Sequence, residues 1–281
     1  MRQPTAFWKS LLLLSTAGIA SADPNIKDLA GRTALHQAAS NGHRKVAQII
    51  LENGGDIGER DNHCSTALHL TALNGHSDTL RVLFANSADK EGRDQFGRRP
   101  LHCAANGGHL EVVDLLLQKG ADKEPIDQCE QRPLHHAAHN GYRDIVVLLL
   151  GGGADREAKN IRGSRPMHYA AHGGHLEVIR FLLEKGAEAG AENRFLQRPL
   201  HYAATRGYLD VVQLLLEKDA NKEAKTIGSQ TPLHLAANMG RLDVVKLLLE
   251  SKANTEAEDM RMLRPLHSAA SFGRLEAAPS R

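Results

Sequence analysis

Cysteine and aromatic residues are scarce in this chain of 281 residues. The three cysteines, Cys64, Cys103 and Cys129, cannot form a closed disulfide framework, and none belongs to a Cys-x-x-Cys pair of the kind that holds zinc. Aromatic residues make up 4% of the chain, beside 41% hydrophobic and 24% charged residues. This composition is typical of a globular protein, but the chain is longer than most single cores support. We therefore expect either two domains or an elongated architecture.

Neither sign of charge dominates, because 35 Lys and Arg residues oppose 33 Asp and Glu residues and leave a net charge of +2. The chain therefore lacks the strong positive field with which proteins hold a nucleic-acid backbone or an anionic membrane. After residue 22, no apolar run approaches the roughly 20 residues that a helix needs to cross a bilayer. We expect no nucleic-acid partner and no membrane-spanning segment in the mature chain.

Histidine, in contrast, is abundant, and half of the 16 histidines form a single series. Its members follow one another at a constant spacing of 33 residues: His36, His69, His102, His135, His168, His201, His234 and His267. Two small residues lie two and three positions after each histidine, and all of them are alanine except Thr71. Small side chains at these positions allow two helices to approach closely.

The sequence pattern around these histidines predicts two short helices in each unit. A glycine six residues after the histidine, from Gly42 to Gly273, suits the left-handed end of a first helix. The next segment, for example 110–117, has apolar residues at helical spacing and an acidic residue near its start. A glycine or polar residue such as Gly120 ends this second helix, and a polar loop follows. Helices this short are marginal alone, so the units must stack on one another.

This pattern resembles the ankyrin repeat, a unit that begins with Thr-Pro-Leu-His, and Thr231-Pro232-Leu233-His234 reproduces that start. The resemblance covers roughly residues 22–276 and implies an all-α solenoid of stacked helix pairs with projecting, hairpin-like loops. It also implies a non-catalytic scaffold, cytoplasmic or nuclear, that binds other proteins. The predicted units are 28–60, 61–93, 94–126, 127–159, 160–192, 193–225, 226–258 and a truncated unit at 259–281.

Two positions depart from the family pattern. The threonine that caps the first helix is kept in three units, and arginine replaces it in the others: Arg99, Arg132, Arg165, Arg198 and Arg264. Losing a cap oxygen costs about 0.5–2 kcal/mol, and the sequence offers no replacement beyond a following proline that presets the first turn. The loop glycine found at Gly31, Gly97 and Gly163 is also replaced, so those turns are predicted to be strained or differently shaped: Cys64, Glu130, Leu196, Ser229 and Met262.

The first 22 residues have two incompatible interpretations. Arg2 and Lys9, the apolar run 11–19 and the small residues 20–22 resemble a secretory signal peptide. Its cleavage would make the protein a secreted effector that acts on another cell's proteins. Alternatively, residues 22–25 match the loop that ends an ankyrin unit, and the preceding segment would then be a worn capping helix.

The last unit has a first helix, but Pro279 blocks the second. We therefore expect this unit to fray and to leave the apolar face of the seventh unit partly uncovered. An oligomer, a partner or a downstream segment that covers this end is the alternative.

The repeat histidines are expected to hydrogen-bond loop backbone between units, because a structural role predicts one histidine at the same place in every unit. A zinc site is the rival interpretation, since His135 with His139 and His168 with His172 have an i, i+4 spacing. No His-Glu-x-x-His motif accompanies these pairs, and we expect no metal or other cofactor. Instead, His139 and His172, about 10 Å apart by helix packing distance, are predicted to line a groove whose affinity changes on protonation.

Residues that vary between units carry partner specificity in this family, and they fall on the loop tips and the ends of the first helices. Arginine beside exposed aromatic and aliphatic residues is the composition of an interface hot spot. We predict that an unidentified partner protein contacts Phe96, Arg98, Asn106, His139, Ile161, Arg162, His172, Arg194, Phe195, Arg206 and Met239. The alternative for the arginines is a stiffening ladder of ion pairs with acidic residues of adjacent loops: Asp61, Glu91, Asp94, Glu124, Asp127 and Glu157.

No catalytic signature competes with this interpretation. The Gly151-Gly152-Gly153 segment follows a helix and lacks the Lys-Ser/Thr of a phosphate-binding loop, and no Gly-x-Ser-x-Gly motif is present. The repeats also occupy nearly the whole length, which leaves no room for an attached enzyme domain. The sequence therefore predicts that the protein is not an enzyme.

Overall fold

The computed structural model describes residues 23–271, and all regular secondary structure in this part of the chain is helical. The first helices of the units are α1 (Ala34–Ser40), α3 (Ala67–Asn74), α5 (Pro100–Gly107), α7 (Pro133–Asn140), α9 (Pro166–Gly173), α11 (Pro199–Arg206), α13 (Pro232–Asn238) and α15 (Pro265–Ser271). The second helices are α2 (Arg44–Glu52), α4 (Ser77–Ala85), α6 (Leu110–Gln118), α8 (Arg143–Gly151), α10 (Leu176–Glu184), α12 (Leu209–Glu217) and α14 (Leu242–Glu250).

The helix pairs stack in two layers, because first helices pack on the first helices of adjacent units and second helices pack on second helices. Between the layers, residues such as Leu101, Val112 and Leu116 are almost completely buried. The alanine pair Ala104 and Ala105 is fully buried where neighbouring helices approach. The core is therefore continuous along the stack, and the prediction of an all-α solenoid is confirmed.

In units 1–7, a glycine in the left-handed conformation follows the first helix, as the sequence predicts. Gly108 has a φ of +81°, and a Cβ atom added there would lie 2.5 Å from the ring of Tyr142 in the next unit. Both the backbone conformation and the close approach of that ring therefore require glycine at this position.

The repeat histidines join the units, as expected. Nδ1 of His102 accepts the backbone N–H of Arg99 at 3.0 Å, and Nε2 donates to the carbonyl of Gln131 in the next loop at 3.1 Å. Five other repeat histidines make the same pair of contacts, with a carbonyl 29 residues further along the chain: His36, His69, His135, His168 and His234. His201 accepts the N–H of Arg198 in the same way, but its Nε2 contacts the carbonyl of Ala224, 23 residues further along. Burial lowers the pKa of His102 to about 4, so its imidazole is neutral in the fold at pH 7.

The loop turns keep one backbone shape whichever residue replaces the glycine. Gly97 has a φ of +73°, and its N–H donates to the carbonyl of Asp94 at 2.9 Å. Leu196 has a φ of +55° and makes the equivalent bond to Asn193 at 3.0 Å. Of the two predicted alternatives, strain is therefore correct and a different shape is wrong. A side chain in this conformation costs about 1–2 kcal/mol.

The two ends of the chain are only partly described. The expectations for residues 1–22, and for the eighth unit beyond Ser271, lie outside the described residues. Within residues 23–271, no helix has the length and apolar character needed to cross a membrane.

Candidate functional site

The loop tips form one continuous row along the stack. The N–H of Gln128 donates to the carbonyl of Phe96 on the previous tip at 2.9 Å, and Arg194 makes the same bond to Arg162. Equivalent bonds join every consecutive pair of tips from Ala30 to Met260. The row therefore has a fixed backbone that presents its side chains outward.

A polar side chain at the base of each loop holds the tip in place. One carboxylate oxygen of Asp94 accepts the N–H groups of Phe96 and Arg98, each at 2.9 Å. Asn193 does the same in unit 6, where it accepts from Phe195 at 2.9 Å and Gln197 at 3.0 Å. These aspartate and asparagine side chains are therefore used inside their own loops.

Tip side chains are exposed although many of them are apolar. Phe96 is 50% exposed, Phe195 46% and Ile161 45%. The guanidinium of Arg98 lies 4.8 Å from the ring centroid of Phe96 and pairs with Asp94 at 2.7 Å. Phe96 is therefore partly covered by its own loop, whereas no ring or cation contact involves Phe195 in the described part of the chain.

An ion-pair ladder exists, but of the predicted tip arginines only Arg98 is paired in the described part of the chain, with Asp94 of its own loop, and the other ladder pairs use arginines at the loop bases. Glu91, Glu124 and Glu157 contact the cap arginines Arg99, Arg132 and Arg165 at the bases of the loops. Among residues 23–271, no carboxylate lies within 4 Å of the guanidinium of Arg162 or Arg194. The ladder prediction is thus wrong for these two tip arginines, because loop-base contacts already occupy the acidic residues.

The first helices of units 4–6 bring imidazole and phenol rings together. The rings of His139 and His172 stack with 5.6 Å between their centroids, about half the spacing predicted for these positions, because the side chains lean toward each other. Tyr169 meets His139 edge-on at 5.8 Å, and Tyr202 meets His172 at 5.9 Å. The result is a short row of alternating rings.

The two tyrosines of this row were not predicted from the sequence. The hydroxyl of Tyr169 accepts from Asn160 at 2.8 Å, and that of Tyr202 accepts from Asn193 at 3.0 Å. Because the loop bases hold both hydroxyls, the rings are fixed in place. The sequence did contain a signal for them. Tyr169 and Tyr202 directly follow the repeat histidines of two adjacent units, whereas Cys103 has this position in unit 3.

Two adjoining depressions follow this row, and they share His172 and Tyr202. The first, of about 170 Å³, is lined by His139, Arg162, Ser164, His168, Tyr169, His172 and Tyr202. The second, of about 360 Å³, is lined by His172, Gln197, His201, Tyr202, Thr205, Arg206, Met239 and Arg241. We name the two depressions together the central groove.

Arginine supplies the positive charge of the central groove. The Arg206 guanidinium donates to Nε2 of His172, which places the ring proton of a neutral His172 on Nδ1. Burial, followed by the nearby Arg206 and His139, lowers the pKa of His172. Burial, followed by neighbouring His175, His136 and Arg206, also lowers the pKa of His139. Both imidazoles are therefore neutral hydrogen-bonding groups at pH 7.

The structure brings together some of the predicted contact residues and separates others. His139, Arg162, His172, Arg206 and Met239 line the central groove. The tips of units 5 and 6 beside it carry Ile161, Arg194 and Phe195.

The remaining three residues, Phe96, Arg98 and Asn106, belong to unit 3 and do not line the groove. The Asn106 side-chain oxygen is already used, since it accepts from Asn140 at 3.2 Å.

The paired histidines do not form a shared metal site. Both ring nitrogens of His135 are engaged, one by the N–H of Arg132 and the other by loop carbonyls, and His168 is bound in the same way. In each i, i+4 pair, both ring nitrogens of the first histidine are therefore engaged, and in the second pair Nε2 of His172 also accepts from Arg206. In the described range, no group of three or more His, Cys, Asp or Glu side chains is arranged to hold a metal ion.

Comparison with known proteins agrees with this architecture. The family model for ankyrin repeats (3 copies) matches residues 8–94, 35–127, 68–160 and 134–226, and the model for a single ankyrin repeat matches residues 229–260. The crystal structure of the human ASB11 ankyrin repeat domain is similar, with a TM-score of 0.73 and 26% sequence identity over 79% of this chain and 99% of that chain. A search of curated protein sequences found no match.

Ankyrin repeats are general modules of protein–protein interaction, and their fold is typically a non-catalytic binding scaffold. The family matches extend over most of the sequence, and the helix pairs, glycine ends and bridging histidines recur in register with them. This chain belongs to the ankyrin repeat family.

Proposed function

We propose that this chain is a non-catalytic module that binds a partner protein through the central groove and the loop tips beside it. The observation that carries the proposal is a difference between side chains that hold the array together and side chains that remain exposed. The repeat positions are buried and bonded within the array, as in His102, whereas Arg162, Arg194 and Phe195 are exposed and make no ion pair or ring contact within residues 23–271.

The composition of this surface favours a protein partner. A ring such as Phe195 supplies buried area at low entropic cost, and arginine supplies several hydrogen-bond donors in a rigid plane. The bonds between successive tips hold the surface in shape before binding, which reduces the entropy lost on association. Phe96, Arg98 and Asn106 extend the proposed contact toward unit 3.

Affinity capture with matched variants tests this proposal. The double variant Phe96→Ala, Phe195→Ala removes two exposed tip rings. The control, Leu110→Ala with Leu209→Ala, removes exposed apolar side chains from the starts of two second helices, where Leu110 is 43% and Leu209 37% exposed. Circular dichroism checks that both variants fold.

We expect proteins that are captured by the unaltered chain and by the control but lost with the tip variant. Capture of the same proteins by all three chains, or equal loss with both variants, would contradict the assigned surface.

The compartment is a separate proposal. The family favours the cytoplasm or nucleus, and cleavage of residues 1–22 as a signal peptide would instead place the protein outside the cell. N-terminal sequencing of the natural protein distinguishes an intracellular from a secreted protein, because a mature chain that starts near Asp23 requires cleavage of a signal peptide and therefore secretion.

A further inference from the structure

We propose that the central groove binds an acidic segment of the partner protein, in which Asp or Glu residues flank an aromatic or aliphatic residue. The inference rests on the proposed function and names the chemistry of the partner. The whole chain is almost neutral at +2, whereas Arg162, Arg194 and Arg206 on this surface have no carboxylate partner in the part of the chain that the structure describes.

The carboxylates near the groove are already engaged elsewhere, with the exception of Glu130. Arg165 holds Glu157 and Glu188, and Arg198 holds Glu192 at 2.7 Å. Asp127 accepts N–H groups of its own loop and contacts His136 at 3.2 Å. Glu130 is the one carboxylate at the tip positions of units 4–6, and it makes no ion pair within 4 Å in the described part of the chain.

The cations around the groove, in contrast, have no acidic partner among residues 23–271. Within that range, Arg162 and Arg194 contact no carboxylate, and the contact of Arg206 is to the neutral ring of His172. Guanidinium groups only donate hydrogen bonds, and Nδ1 of His172 also carries a proton in this arrangement. The groove therefore offers donors and positive charge, which an acceptor-rich, anionic ligand complements.

The groove also has an apolar component. Tyr169 and Tyr202 are tied through their hydroxyls, so their ring surfaces line the depressions, and Met239 is 42% exposed at the far end. Phe195 lies on the adjoining tips. A ligand that carried charge alone would leave these surfaces unused, which is why an apolar residue among the acidic ones fits better.

The length of the groove indicates an extended peptide. It follows units 4–7, and successive units are about 10 Å apart by helix packing distance. An extended chain advances about 3.3 Å per residue, so roughly six to nine residues would span this distance. A nucleic acid fits less well, because strong phosphate-backbone binding needs several more cations in a row than the arginines present here.

The probes are fluorescently labelled heptapeptides in which Asp and Glu surround one central Phe, Tyr or Leu. A matched set replaces each Asp with Asn and each Glu with Gln, and an oligothymidylate strand represents nucleic acid. Fluorescence anisotropy with the full chain measures the affinities. We expect at least one acidic peptide to bind at least about tenfold more tightly than its amide counterpart, since one charge-assisted hydrogen bond corresponds to roughly that factor.

A matched pair of variants assigns this binding to the groove. The groove variant is Arg162→Gln, Arg194→Gln, Arg206→Gln. The control is Arg81→Gln, Arg143→Gln, Arg180→Gln, which removes the same charge from second helices whose arginine side chains are 49–56% exposed. We expect the groove variant to lose at least about tenfold in affinity and the control to lose less than about twofold.

Three results would overturn the inference: no acidic peptide bound by the unaltered chain, equal affinity for the amide peptides, or tighter binding of oligothymidylate. Equal losses in the two arginine variants would also overturn it. Failure of this inference is distinguishable from failure of the proposed function. Partner capture that depends on Phe96 and Phe195 but not on the three groove arginines would support the proposed function and refute binding of an acidic segment in the groove.

Discussion

Units capped by threonine and units capped by arginine reach the same backbone by different interactions. In unit 7, the Thr231 hydroxyl is buried and donates to Nδ1 of His234 at 2.8 Å. In unit 5, the backbone N–H of Arg165 donates to Nδ1 of His168. The Arg165 guanidinium contacts Glu157 and Glu188 in two successive loops. One cap is local, whereas the other links neighbouring units.

These two kinds of cap identify the part of the repeat that cannot vary. Both kinds of unit keep the histidine, with its two ring nitrogens bonded in the same directions. The cap residue can change because the backbone N–H, and not the cap side chain, supplies the invariant bond. Stabilisation by threonine should be insensitive to salt, whereas stabilisation by arginine should be screened.

Removing a repeat histidine should have the largest effect, since both kinds of unit depend on it. His168→Ala leaves the part-buried N–H of Arg165 without its acceptor, removes one of the two hydrogen bonds that the carbonyl of Gln197 accepts, and opens a cavity where a side chain only 2% exposed was packed. We expect a loss of about 3–5 kcal/mol in the free energy of unfolding, measured by urea denaturation. His139→Ala is the control, because the His139 ring stacks on His172 but makes no hydrogen bond within residues 23–271, and it should cost less than about 1 kcal/mol. Similar losses in the two variants would refute the structural role.

Acid should unfold the array through the arginine-capped units. Burial is the main cause that lowers the pKa of four repeat histidines from 6.5 to about 4: His102, His135, His168 and His201. The unfolded chain therefore binds more protons than the folded chain between pH 6.5 and 4. The stability from these neutral rings is complete above pH 6.5 and falls as pH falls, by up to about 1.4 kcal/mol per pH unit for each histidine.

Urea denaturation at a series of pH values measures this slope. A free energy of unfolding that stayed constant between pH 6.5 and 4.5 would contradict the account.

Salt should separate the two kinds of cap. Arg165→Gln is expected to cost about 0.5–1 kcal/mol in dilute buffer, because the Arg165 side chain is only 15% exposed and its guanidinium has two carboxylate partners. Thr231→Ala is expected to cost about 1 kcal/mol. In concentrated salt the cost of Arg165→Gln should shrink and the cost of Thr231→Ala should remain, as measured by thermal unfolding. The same salt response for both variants would remove the distinction.

The smallest effect concerns the strained loop turns, which occur in both kinds of unit. Leu196→Gly relieves the left-handed strain but adds freedom to the unfolded chain, so we expect a net gain of about 0.5–1 kcal/mol in stability. Leu196→Ala keeps the strained backbone and is the control, which should give no such gain. A stability unchanged or lowered by the glycine would show that the Leu196 side chain stabilises the turn.

The fold could be predicted from the sequence almost completely. The spacing of the histidines sets the unit, the glycines set the helix ends, and the alanine pairs set the close packing, because each of these features acts locally and recurs. The role of the arginine caps could not be predicted. Arg99 contacts Glu91 and Asp122, eight residues before it and 23 after it, and only the stacking of the units brings these residues together.

The candidate site could be predicted only in part. Variation between units indicated His139, His172 and the tip residues, but it could not show that rings from adjacent units stack or that Asn160 and Asn193 fix two tyrosines beside them. Nor could it tell which arginines are paired. Those contacts depend on side-chain directions in neighbouring units, which the spacing along one chain does not determine.

The most direct test of the binding surface is site-specific photo-crosslinking in the protein's natural cells. A photoreactive phenylalanine analogue replaces Phe195 on the tips or Leu209 at the start of α12, two exposed positions on different sides of unit 6. We expect a discrete covalent adduct with a partner protein from position 195 and none from position 209. An adduct only from position 209, or the same adduct from both, would contradict the claim that the tips and central groove form the binding surface.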